Sequence, residues 1–69
     1  MNFNLECERE DDGQWLAEVP QRPGVLAYGA TAAEALAEAE ILALRVIAER
    51  LEQGEVKPLD IRFSLPAAA

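Results

Sequence analysis

The sequence predicts an α+β domain of β-β-β-α-β order, an antiparallel meander packed on one long helix. Three observations predict it. Apolar and polar residues alternate around Phe3–Cys7 and again around Trp15–Val19, the signature of half-buried strands. A long Ala/Leu/Glu-rich segment follows, opened by a capping sequence and closed by Gly54. The alternation then resumes with Leu59, Ile61, Phe63 and Leu65. At 69 residues the chain is expected to form a single domain over 1–66, with 67–69 as a frayed tail.

The first strand is expected to place Phe3, Leu5 and Cys7 on one face and Asn4, Glu6 and Glu8 on the other. Asp11-Asp12-Gly13 then supplies hairpin chemistry. Trp15, Ala17 and Val19 form the inner face of an antiparallel second strand. Pro20-Gln21-Arg22-Pro23-Gly24 interrupts the pairing, because neither proline can donate to a ladder. Val25 to Tyr28 is the expected third strand, bracketed by Gly24 and Gly29, each free to take a positive φ at a corner. Thr31 and Glu34 stand at capping-box spacing. The Thr31 hydroxyl should accept from the Glu34 N–H, and the Glu34 carboxylate should reach back to the Thr31 N–H.

From Ala32 to about Gln53 the periodicity is helical, with Gly54 as the residue that ends it. Glu34, Glu38, Arg45, Glu49 and Glu52 form a narrow polar stripe. Leu36, Ala39, Ala43, Val46 and Ile47 should lie on the sheet. A further apolar flank, Ala37, Ile41, Leu44, Ala48 and Leu51, makes the apolar arc much wider than one small sheet can cover. That flank is the expected oligomer interface, the chain's own loop and C-terminal segment being the alternative cover.

Composition narrows the function. Six basic against 13 acidic residues give a net charge of −7, the wrong sign for a free-standing nucleic-acid binder and compatible with a basic protein partner. A lone Cys7 and no histidine remove disulfides, the usual zinc ligands and the commonest general base. Glu8, Glu10, Asp11, Asp12, Glu34 and Glu38 invite comparison with a magnesium site, but solvated turn charges and a helix cap explain them. No enzyme activity, metal or cofactor is therefore expected. Cys7 reads as a buried, inert thiol. Trp15 and Tyr28 are expected to straddle core and surface, with interface anchoring the alternative. The start, Met1-Asn2-Phe3-Asn4-Leu5-Glu6, has no basic region and no apolar run, so a cytoplasmic protein with no membrane association is expected.

Taken in order, Asp11-Asp12-Gly13, Trp15, Ala17-Glu18-Val19-Pro20, Pro23-Gly24, Ala27-Tyr28-Gly29-Ala30-Thr31 and Glu34-Ala35 before a long helix resemble the HicB-like antitoxins of bacterial toxin–antitoxin pairs. The resemblance spans roughly Asn2 to Pro58. It implies a partial ribonuclease-H-like fold and a dimer or tetramer. The implied function is that of a type II antitoxin, which binds a small basic mRNA-cleaving toxin of the HicA type and occludes its active site. On that reading Asp11, Asp12, Gln21 and Arg22 are the expected toxin contacts. Full-length members usually add a C-terminal operator-binding module. Nothing after Leu65 can build one, so no direct nucleic-acid binding is expected. The other readings are an orphan self-associating domain and a magnesium-dependent nuclease.

Overall fold

The computed structural model describes residues 2–54 and 62–66. Its elements run β1 (Asn2–Asn4), β2 (Glu6–Arg9), β3 (Trp15–Glu18), β4 (Leu26–Gly29), α1 (Ala32–Glu52) and β5 (Arg62–Ser64). Strands and one helix make an α+β fold, but the strands form two sheets rather than one antiparallel meander. The sheet of β2, β3 and β4 is antiparallel throughout, whereas β5 pairs with β1 in parallel.

The expected first strand is broken at Leu5. Its two halves serve different partners: Phe3 stands opposite Phe63 of β5, and Cys7 stands opposite Ala17 of β3. Leu5 itself is buried and donates its N–H to the Ser64 carbonyl at 2.8 Å. Of the last strand, only the end from Arg62 onward falls within the described residues. Arg62–Ser64 forms that end, Leu65 lies beyond it and is exposed, and the Leu59–Ile61 part falls outside the described residues.

The hairpin from β2 to β3 closes through a Glu10 N–H to Gln14 carbonyl bond at 2.7 Å. Gly13 takes a φ of 89° inside it, and Asp12 Oδ1 accepts from the Gln14 N–H at 2.9 Å. Strand β4 begins one residue later than expected, because the Val25 N–H turns back to the Arg22 carbonyl.

The two bracketing glycines differ. Gly24 has a φ of 94°, but Gly29 is not left-handed. Its role is space: a Cβ built there would lie 2.6 Å from the Ala35 backbone nitrogen.

The helix starts where the capping box puts it. Thr31 is the N-cap, extended at φ −129° and ψ 160°, and its Oγ1 accepts from the Glu34 N–H at 3.1 Å. The Glu34 carboxylate reaches one residue further back than expected, taking the Ala30 N–H at 3.1 Å instead of that of Thr31. Gln53 closes the helix, and Gly54 follows it at a φ of 73°. Removing the cap hydroxyl by Thr31→Ala should lower unfolding stability by about 1 kcal/mol, read as a lower urea midpoint with an unchanged m-value.

The core joins Phe3, Leu5, Ala17, Val19 and Val25 to Ala35, Ala39, Ala43 and Ile47 of the helix. Ala35, absent from the expected sheet-facing set, is fully buried, while Leu36 and Val46 are only half-buried against the cluster. Three alanines four residues apart give the helix a smooth track, so its backbone can approach the sheet closely. The helix lies over β3 and β4 more than over β2. That offset leaves Cys7 half-buried rather than buried, and burial still pushes its thiol pKa up.

Candidate interaction surfaces

The residues expected to contact a partner through charge do not form one patch. Asp11 and Asp12 are exposed at the tip of the β2–β3 hairpin. Gln21 and Arg22 belong to the β3–β4 connection, at the other end of β3. A four-residue strand separates the two ends by roughly 13 Å. The second pair also has local work. Gln21 Oε1 accepts from the Asn4 N–H at 3.3 Å, and the Arg22 guanidinium stands over the Phe3 ring at 6.0 Å from its centroid. These contacts fasten the connection to β1.

A different acidic surface lies on the side of the three-stranded sheet away from the helix. Glu6 and Glu18 sit directly opposite each other on β2 and β3, and Glu8 sits opposite Leu16. All three carboxylates are exposed. They help to line a groove of about 570 Å³, together with Leu5, Cys7 and Leu16 and with Ser64, Leu65 and Pro66 from the end of the described chain. Like charges placed opposite each other across a ladder oppose its pairing slightly. Strand alternation already puts Glu6, Glu8 and Glu18 on one face; what the sequence does not contain is the position of β5, which turns that face into a groove.

The helix flank is uncovered. Ile41, Leu44 and Leu51 keep 40%, 47% and 37% of their surface exposed, and Ala37 and Ala48 between them are exposed as well. A second apolar surface, not singled out by periodicity, is the outer side of β4. Leu26 and Tyr28 are exposed there, and Trp15 packs against the core instead. Thr31 and Glu34 are both occupied by the helix cap.

Among the described residues, no three His, Cys, Asp or Glu side chains come together in a way that could hold a metal ion. Nor, among those residues, is any helix long and apolar enough to cross a membrane. No family model, curated protein or solved structure matches the chain. The surfaces themselves therefore carry the functional argument. They are three: an acidic sheet face with its hairpin tip, the apolar flank of the helix, and the apolar strip on β4.

Proposed function

We propose that this is an antitoxin-like interaction domain, which binds a small basic mRNA-cleaving toxin of the HicA type and occludes it, as the HicB-like resemblance implies. The observation that carries this reading is the acidic sheet face. Glu6, Glu8 and Glu18 stand around a groove, with Asp11 and Asp12 at the neighbouring hairpin tip. A basic partner seated there relieves the repulsion between Glu6 and Glu18 and gains from steering by a chain of net charge −7. The ordered motif from Asp11 to Ala35 supplies the class of partner. Self-association along Ala37, Ile41, Leu44, Ala48 and Leu51 belongs to the same reading.

The deciding test is growth rescue and co-purification with a small basic protein encoded beside this one. Rescue with a stable complex supports the antitoxin reading, and neither rescue nor complex removes it. Within such a complex, Asp11→Lys with Asp12→Lys should lower the association rate roughly tenfold at low salt, with the difference shrinking as salt is raised. Unchanged association kinetics would take the hairpin tip out of the contact. If no partner exists, the exposed helix flank favours the second reading, a domain whose partner is another copy of itself.

A further inference from the structure

We infer that β4 is a second, independent self-association edge, on which two copies pair their β4 strands antiparallel to join their sheets. The inference does not rest on the toxin reading.

The ladder fixes which backbone groups are available. The Val19 N–H donates to the Val25 carbonyl at 3.1 Å, so alternate residues from Val25 onward, Ala27 and Gly29, turn their backbone groups toward β3. Leu26 and Tyr28 therefore turn theirs outward. Among the described residues β4 has no strand on that side, since the sheet order ends with it. The edge is short, at four residues, but within it there is no charge, proline or bulge. Monomeric proteins blunt such edges with charge, proline or a bulge within the strand. Here Leu26 and Tyr28 are 41% and 54% exposed, and the chain from Pro23 through Ala33 holds no charged residue at all.

The charge distribution selects the occupant. Two chains of net charge −7 repel over most of their surfaces, so they can approach closely only where the surface is uncharged. A basic partner gains less at this edge, where Glu18 opposite Leu26 is the nearest cross-strand carboxylate, than across the same sheet face at β2, where Glu6 and Glu8 stand. Geometry selects the register. With a two-fold axis at Ala27, Leu26 of each copy stands opposite Tyr28 of the other, and all outward N–H and C=O groups of both residues are paired. The same register brings each leucine beside a tyrosine ring, a favourable cross-strand pair.

The test separates this edge from the helix flank. The mass of the full chain is measured in solution across the micromolar range for Ile41→Glu, and for Ile41→Glu combined with Leu26→Pro or with Tyr28→Lys. Leu26→Pro deletes an N–H that the internal ladder does not use, and Tyr28→Lys adds a charge to the edge without touching the backbone. The Ile41→Glu chain should remain a dimer, and both combined variants should be monomers with an unchanged circular dichroism spectrum. A monomeric Ile41→Glu chain, or a dimer that survives both edge substitutions, overturns the inference.

Discussion

Phe3→Ala should lower unfolding stability by about 3–5 kcal/mol, as loss of a buried phenylalanine ring generally does. For a domain this small that is a large share of the whole, since total stabilities are about 5–15 kcal/mol and short chains sit low in that range. The size of the effect follows from what the ring joins. Phe3 is 3% exposed, stacks on Phe63 with centroids 5.6 Å apart and planes at 28°, and lies beneath the Arg22 guanidinium. Removing it loosens the parallel β1–β5 pair and the β3–β4 connection together with the core. Phe3→Leu keeps most of the volume and should lose about 1.5 kcal/mol or less. Both are read from urea midpoints at one fixed protein concentration, because self-association adds stability by mass action. A Phe3→Ala loss below about 1 kcal/mol would mean that the ring does not tie these elements together.

Why β1 and β5 needed the structure is a matter of range. Alternation is local, and it correctly placed Phe3, Leu5, Ala17 and Val19 on the buried side. Partner choice is not local. Nothing in the pattern from Phe3 to Cys7 says that one half will pair forward with β3 and the other with a strand sixty residues away. The helix shows the same division. Its start, its cap and its end were legible because each is written in adjacent residues. Which alanines it buries depends on how the helix is offset over β3 and β4: Ala39 and Ala43 were expected on the sheet, and Ala35, one turn earlier, joins them. The two pairs of expected contacts lie in separate places for a reason that was available. Successive turns of a meander fall at opposite ends of the shared strand, so Asp11-Asp12 and Gln21-Arg22 could not form one patch around β3. The free edge of β4 was not legible either: Val25 to Tyr28 is apolar throughout, so alternation does not separate its faces, and only the sheet order shows that, among the described residues, no strand pairs with its outer side.

Gly29 and Gly24 provide the second strong prediction, because one residue type is required for two different reasons. At Gly24 the backbone decides: φ is 94°, and an added Cβ would meet nothing within 4 Å. Gly24→Ala should therefore lose about 1–2 kcal/mol, the strain of an L-residue in the left-handed region. In a synthetic chain, D-alanine at the same position should recover most of it. At Gly29 the neighbour decides. A Cβ there would stand 2.6 Å from the Ala35 nitrogen, 3.0 Å from the Glu34 Cβ and 3.1 Å from the Ala35 Cα. Two of these atoms are helix backbone, so relief requires the first turn of α1 to lift from β4. Gly29→Ala should lose about 3 kcal/mol, at the upper end for overpacking, because Ala35 is fully buried and the cap is carried with it. The two substitutions differ in a way that stability alone would not show. Amide exchange at Ala30 and Glu34, whose N–H groups bond to the Glu34 carboxylate and the Thr31 hydroxyl, should speed up in Gly29→Ala and stay unchanged relative to global unfolding in Gly24→Ala. Equal exchange in both variants, or a Gly29→Ala chain as stable as the parent, would show that the helix does not approach β4 as closely as that 2.6 Å contact requires.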